Sequence, residues 1–541
     1  MNKLLVLLLL LTGVTVYAQQ GSVQDATFDV VVVGNLELQP ANRFFEQNSD
    51  VQPEPNVKSQ SYDTKDYTIN PPRFDAKVVI PKMPDDSLKE LYANYVKVGY
   101  GNYNTPFLDA YFHNKRSKTW SYGAHLKHYS SSKGVLNNSG NSQQLAELFG
   151  SRYGKVNSWS SHLSYSRNKY FYYGLPQDLA VDKDSIKQVY QLIHGGISTK
   201  KILVGKDFNY GTGLDLFYLN TTSKASELEV LWNGNGAYKV TDERSVLLET
   251  SLSYVSKSDS ASLSRVLFTF KPIYKITKDE FVLKVGATVN YSSDTLKGSD
   301  GVHLYPYGRL DYFLQPNKLT LFVGLGGEIQ KNTYRSFIQA NPYLGANPVI
   351  AHTNNMIAFY MGAKGNLSKK VNYTAQLQYA SYKNQYFFTN SITDSSRFEV
   401  VYDNGNTNLF GLKGQMFYDM STKWRAFVSA ELNKWTTDNL EKAWHRPSFI
   451  GTAGVSYNAS NKILINSELY YIGGLKGWNR ESNTLVDLKN IIDLSLKVDY
   501  RFSSDFSAFI EFNNILAQKY QRYLYYTNKS VNVLAGLTYS F

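Results

Sequence analysis

Histidine and cysteine are the side chains that most often hold a transition metal, and histidine is the usual proton carrier near neutral pH. The chain has eight histidines and no cysteine, which excludes both a disulfide framework and a thiolate metal site. The histidines are dispersed; His125 and His128 stand three apart in a strand-like segment, which points them to opposite faces and prevents a shared ion. No Gly-x-Ser-x-Gly elbow, His-Glu-x-x-His pair, phosphate-binding Gly-x-x-x-x-Gly-Lys or EF-hand loop is present. Neither an enzyme nor a cofactor is expected, and a serine–histidine hydrolase lacks a serine that the sequence singles out. The informative polar residues are charges on alternate positions late in the chain: Lys423, Arg425, Glu431, Asp493, Lys497, Asp499 and Arg501. On a water-filled face such charges line a lumen and set which solute passes. Their competing role is to pair with one another and hold strand register. Trp435, Trp444, Tyr523, Tyr525 and Tyr526 fall in longer connections, where exposed rings stack on sugar faces or join a membrane-interface belt.

What positions these side chains is a period of two. Ile492, Leu494, Leu496, Val498, Tyr500 and Phe502 alternate with Asp493, Ser495, Lys497, Asp499 and Arg501, and successive side chains on a strand point to opposite faces. Burying the second set in an apolar core would strand every one of those polar groups at several kcal/mol each, so water lies on that side. Trp424, Ala426, Val428, Ala430 and Leu432 oppose Lys423, Arg425, Ser429, Glu431 and Asn433 in the same way, and Trp120, Tyr122 and Leu126 oppose Ser121, His125 and Lys127. Residues 531–541 put Val533, Leu537, Tyr539 and Phe541 on the apolar face against Asn532, Thr538 and Ser540. About ten tilted residues cross a bilayer core of about 30 Å, and a terminal ring sits at the headgroups. The expected fold is therefore all-β, a transmembrane antiparallel β-barrel over residues 94–541.

Bulk composition agrees. With 43 tyrosines and 29 phenylalanines the chain is aromatic-rich, yet its mean hydropathy is negative, as expected when half of each strand faces a wet lumen. Tight polar turns fall near 115–118, 155–158, 199–207, 241–244, 277–280, 315–318, 368–371, 421–423, 459–462 and 503–505. Ten short turns on one side, with both chain ends there, predict about 22 strands. Longer connections near 130–144, 172–187, 330–353, 386–405, 435–445, 474–485 and 515–530 are expected outside the cell. Pro272 and Pro306 fall within predicted strands and suggest bulges or strand ends.

Residues 1–18 read as a signal peptide: Lys3, an apolar run and a Val16-Tyr17-Ala18 cleavage site. Residues 19–93 hold seven of the fifteen prolines (Pro40, Pro53, Pro55, Pro71, Pro72, Pro81 and Pro84) and are expected to form a periplasmic or lumenal arm. Within it, residues 27–34 form a valine-rich β stretch and residues 87–91 carry a capping-box spacing. The formal net charge of +12 implies contact with anionic lipopolysaccharide or a basic lumen, unless it is scattered solvated charge; an exported chain has no nucleic-acid partner.

Residues 506–520, Phe-Ser-Ala-Phe-Ile-Glu-Phe-Asn-Asn-Ile-Leu-Ala-Gln-Lys-Tyr, resemble the penultimate strand and Asn-Asn loop of TonB-dependent receptors, and residues 531–541 resemble their last strand. A terminal Phe541 after Val533, Leu537 and Tyr539 also resembles the signal read by the bacterial outer-membrane assembly machinery. The resemblance implies location in the outer membrane of a Gram-negative bacterium. It departs in one respect, because the family's globular plug has no room in a 19–93 arm. Residues 27–34 resemble a TonB box only faintly, and contact with TonB is not expected. The expected function is a passive or gated, porin-like conduit for a polar solute. The alternative is a non-transporting scaffold for a surface lipoprotein or an outer-membrane assembly complex.

Overall fold

The computed structural model describes residues 93–541 apart from 116, 177, 179, 203–207, 317, 480 and 481. The signal peptide, the arm, the valine-rich stretch and the capping-box spacing lie outside the described residues. Among those described, 22 strands pair antiparallel with their sequence neighbours in one sheet. The sheet closes on itself: the first strand, Tyr95–Gly101, pairs with the last, Asn532–Ser540, from Tyr95 opposite Ser540 to Gly101 opposite Leu534. Closure leaves no unpaired edge, which the interior of a bilayer demands.

The ten tight turns expected from the sequence each join consecutive wall strands, as between Asn157–Phe171 and the preceding Asn141–Tyr153, or between Thr353–Ser368 and Val371–Lys383. At the opposite end the seven long connections are present, and four short ones, 102–104, 222–225, 259–261 and 294–300, join the remaining pairs. The outward face is apolar and open: Leu148 is 61% exposed, Leu163 54% and Val302 71%. In a soluble protein such a band would be an aggregation surface; around a closed barrel it is the lipid-facing wall. On the last strand Leu537, Tyr539 and Phe541 are exposed while Asn532, Thr538 and Ser540 are buried, so the predicted facing is the observed one.

Neither proline makes a bulge. Pro272 sits inside Ser262–Thr277, where pairing with Phe281–Ser293 stops after Phe270 opposite Val289 and resumes in the same register at Ile273 opposite Gly286. Pro306 sits inside Gly301–Gln315 but before Gly308, where pairing with Leu319–Gln330 begins. In both cases the ring nitrogen, which has no hydrogen to donate, occupies a place where a ladder bond is already missing. At the seam Gly99 stands opposite Gly536. A Cβ on Gly536 would lie 1.9 Å from the Val98 carbonyl oxygen and 2.7 Å from Phe509 Cε1. The bare backbone there makes room for the buried Phe509 ring, over which Lys97 Nζ lies at 4.0 Å.

Candidate functional site

The lumenal charges are mostly neutralised within the wall. Glu431 Oε2 is 3.0 Å from Lys413 Nζ on the adjoining strand, directly opposite in register, and Glu431 Oε1 also accepts from Asn433 Nδ2 at 2.7 Å. Lys497 Nζ is 3.4 Å from Asp499, and Arg425 Nε donates to Asp419 at 2.6 Å. Arg501 is half-buried at the inner end of its strand and is not free of partners. Two expectations are corrected. Lys423 lies in the exposed turn before Trp424–Thr436, so its side chain leaves the wall for open solvent instead of lining the lumen. Asp493 is buried near the outer rim, where it accepts from the Asn514 amide at 3.0 Å and the Tyr520 hydroxyl at 2.8 Å; it anchors a loop. Neighbouring strands repeat the pairing elsewhere: Arg309 holds Asp311 through two bonds of 2.6 and 2.8 Å, with Lys364 at 3.1 Å. His125 Nε2 donates to Asp109 Oδ1 at 2.8 Å.

The outer connections do not stand in solvent as separate loops. Residues 331–352 contain the helix Tyr334–Ala340, residues 384–405 the hairpin Tyr386–Asn390 with Phe398–Tyr402, and residues 514–531 a short hairpin. Their apolar side chains share one core in which Tyr334, Phe337, Leu344 and Phe398 are fully buried and Phe388, Tyr523 and Tyr526 nearly so. Tyr190 and Leu219, from the sixth and seventh wall strands, belong to the same core. The 386–402 hairpin joins the fifteenth and sixteenth wall strands, almost half a circuit away in a ring of 22. A core touching both sides must cross the mouth, so these loops form a cap.

This overturns the expectation of exposed loop aromatics. Trp444, Tyr523 and Tyr526 are 5%, 5% and 4% exposed; Tyr525 is half-buried and Trp435 faces inward at the end of its strand. The rings are used up in packing: Tyr343 stacks on Tyr526 with centroids 3.5 Å apart, and Arg446 lies 5.6 Å from the Trp435 ring and 4.9 Å from Tyr386. Their hydroxyls satisfy loop carbonyls that burial would otherwise strand. Tyr523 donates to the Ala340 oxygen at 2.5 Å, Tyr190 to Pro342 at 2.8 Å, Tyr172 to Leu344 at 2.7 Å and Tyr526 to Ser396.

Three polar nodes pin the cap to the wall. Glu227 accepts the Tyr334 and Arg335 amides at 2.6 and 2.9 Å, satisfying free donors of the helix N-terminus, while neighbouring Glu229 pairs with Arg335 at 2.7 Å and with Lys331. Arg265, 2% exposed, donates to the Asn332 oxygen at 2.8 Å and lies 3.6 Å from the buried Asp294 carboxylate. Beside it, His352 Nδ1 accepts the Asn332 amide at 3.1 Å, and burial next to the Arg265 charge pushes its pKa down to about 2. In the third node His445 Nδ1 donates to the Phe388 oxygen at 2.9 Å and Nε2 accepts the Leu524 amide at 3.3 Å, with Arg522 donating to the His445 oxygen at 2.8 Å. Burial, with Arg522 adding to it, lowers the His445 pKa to about 3. Under the rim a cavity of about 50 Å³ is lined by Tyr129, Asn141, Tyr343, Asn528 and Lys529 among others. Lys529 donates to Asn141 at 3.0 Å, and desolvation lowers its pKa to about 8. These nodes carry no local sequence signal, because their members lie 20 to 108 residues apart.

No protein-family model matches the chain, and no curated protein matches it. Solved structures do. The ferric-catecholate import receptor Fiu from E. coli K12 superposes with a TM-score of 0.64 at 11% identity, covering 83% of this chain and 82% of its own. The FrpB iron transporter from Neisseria meningitidis gives 0.65 at 9% identity, covering 84% and 82%. A G324V mutant of the ferric enterobactin receptor PfeA from Pseudomonas aeruginosa gives 0.62 at 11% identity, covering 83% and 80%. The chain thus has the 22-stranded barrel fold of TonB-dependent outer-membrane receptors. Those proteins are receptors and transporters rather than enzymes.

Proposed function

We propose that this chain is an outer-membrane conduit for a polar solute, gated at its outer mouth by the loop cap. The observation that carries this reading is the core shared by Tyr190, Phe337, Phe398 and Tyr526, which ties loops from opposite sides of the ring across the entrance. A ring of 22 strands encloses a lumen wider than that of the 16- to 18-stranded porins, so something must obstruct it if the membrane is to stay sealed. The cap does so at one end, and its opening admits solute. Pairing of Glu431 with Lys413 and of Asp499 with Lys497 leaves that part of the wall polar with little free charge, suited to an uncharged hydrophilic solute more than to a single ion. No catalytic role is assigned, and the basic excess is directed to lipopolysaccharide at the outer leaflet.

Single-channel recording in planar bilayers tests the reading. The intact chain should give low or flickering conductance, and replacing residues 386–402 by a short Gly-Ser link should give steady conductance in a barrel that keeps its heat-modifiable gel migration. A folded barrel that stays closed after that replacement counts against gating by the cap. The second reading, a scaffold for a surface lipoprotein or an assembly complex, is favoured by one feature: the cap is as tightly packed as a domain core, with Tyr334 and Phe398 at 0% exposure. A stoichiometric partner in outer-membrane pull-downs, together with a silent barrel after cap deletion, would select it.

A further inference from the structure

The dispersed histidines include two that the barrel register brings together. His162, His194 and Asp215 lie on the consecutive strands Asn157–Phe171, Lys187–Lys201 and Phe208–Thr221. On each strand the neighbours on the other face, Leu163, Ile193 and Leu214, are open to lipid. The three polar side chains therefore face the lumen. Among the described residues they are the group of histidine and carboxylate donors whose ligand atoms converge.

The distances are those of a metal site. His162 Nε2 is 3.0 Å from His194 Nε2, His194 Nε2 is 3.2 Å from Asp215 Oδ1, and His162 Nε2 is 3.8 Å from the same oxygen. A triangle with these sides has a circumradius of about 2 Å, so a point slightly off its plane lies about 2.1 Å from all three atoms, the length of zinc–nitrogen and zinc–oxygen bonds. The rings are oriented accordingly: their centroids are only 4.3 Å apart at an interplanar angle of 67°, too close for the two nitrogens to meet head-on. Without an ion the same atoms sit within hydrogen-bonding distance, His162 Nε2 to His194 Nε2 and His194 Nε2 to Asp215 Oδ1, and a bound ion would take the place of the shared proton.

Local sequence makes the convergence possible. His162 and Asp215 both stand opposite Gly196 on the strand between them. A Cβ there would lie 2.4 Å from Asp215 Oδ1 and 2.4 Å from His162 Cε1, so the glycine supplies the space over which the two side chains close. The His194 ring stacks on Phe217 at 4.0 Å, and the far face of Phe217 carries Arg335 at 3.9 Å, which fixes the imidazole plane. The ligating side chains are 25–31% exposed, so a bound ion keeps open positions toward the lumen, as in sites that exchange ligands rather than in closed structural ones.

We propose that His162, His194 and Asp215 form a lumenal site for a divalent transition-metal ion, with Zn²⁺ the fitting occupant of two imidazoles and a carboxylate. The site goes beyond the conduit reading and does not depend on it. The test is titration of the tag-free, detergent-solubilised full chain with Co²⁺ as a spectroscopic probe, followed by displacement with Zn²⁺. One equivalent should bind with visible d–d bands that Zn²⁺ abolishes, and the affinity should fall by about 100-fold in His162→Gln, His194→Gln or Asp215→Asn. Because protons compete with the metal for both imidazoles, affinity should also fall as the pH is lowered. Gly196→Ala, which leaves all three ligands in place, should weaken binding by about 10-fold or more. Heat-modifiable migration verifies that each variant is a closed barrel. Absence of stoichiometric Co²⁺ binding by the wild type, or binding that survives the double His162→Gln/His194→Gln change in a folded barrel, overturns the proposal.

Discussion

Acid should open the cap. Two of the nodes that hold it contain buried neutral histidines, each with one ring nitrogen already committed as an acceptor. His352 Nδ1 faces the Asn332 amide and, at 3.3 Å, the Arg265 guanidinium; Lys331 and the Asp294 carboxylate complete the charges around it. His445 Nε2 faces the Leu524 amide, with Arg522 as the nearby cation. Protonation would set each ring donor against another donor beside a positive charge. The folded pKa values, about 2 and about 3, lie below the free histidine value of about 6.5. A depressed pKa means that the opened, solvated loop binds the extra proton first. The stabilisation from keeping these rings neutral is thus complete above about pH 6.5 and is lost as pH falls below it. At pH 5 the loss is about 1.5 pH units for each ring, or about 2 kcal/mol each and about 4 kcal/mol together. Such a loss is large against the stability of a local opening unit.

Hydrogen exchange of the amides around Phe388, Asn332 and Leu524 reads the opening, and bilayer conductance reads its consequence. Both should rise between pH 6.5 and pH 5 while the wall amides stay protected. Glutamine keeps a donor and an acceptor without titrating, so His445→Gln should remove about half of the response and the His352→Gln/His445→Gln pair nearly all of it. Flat exchange and conductance down to pH 4.5, or a response unchanged in the double variant, would refute the reasoning.

Three further outcomes follow from the packing. Phe398→Ala empties the middle of the cap and should cost it about 3–5 kcal/mol, seen as protease sensitivity of residues 384–405 with an intact barrel on gels. A double-mutant cycle on Lys413 and Glu431, which are 25% and 15% exposed, should give a coupling of about 1 kcal/mol or less and little change in ion selectivity, as expected of a register pair. Gly536→Ala forces a Cβ against the Val98 carbonyl at the seam and should cost about 3 kcal/mol or more in chemical unfolding, whereas Gly414→Ala, with nothing within 4 Å of the added carbon, should be close to neutral.

The wall was legible because each strand states its own facing. Ile492 to Phe502 and the terminal stretch through Phe541 need no partner to show which side meets lipid, and a tight polar turn such as 241–244 is a local event. Even the pairing of Glu431 follows from alternation and adjacency once the neighbouring strand carries a lysine at the opposed position. The cap was not legible, because a tyrosine that donates to a carbonyl 183 residues away has the same sequence signature as one lying on a membrane surface. Trp444 and Tyr523 carry no local signal of the partners that bury them, so their sequence context alone points outward.

The metal triad lies between these cases. His162, His194 and Asp215 each occupy the water-facing parity of their own strand, which alternation shows. Their meeting depends on register, and register between long antiparallel strands is fixed by where each turn closes. A slip of one residue between Asn157–Phe171 and Lys187–Lys201 would send His194 to the lipid side while His162 stayed in the lumen. The hydrophobic pattern forbids that slip, because Ile193 and Ile197 would then enter water. The forces that seal the wall against lipid are thus the ones that bring the three ligands together, and Gly196, which contributes no side chain at all, marks where they meet.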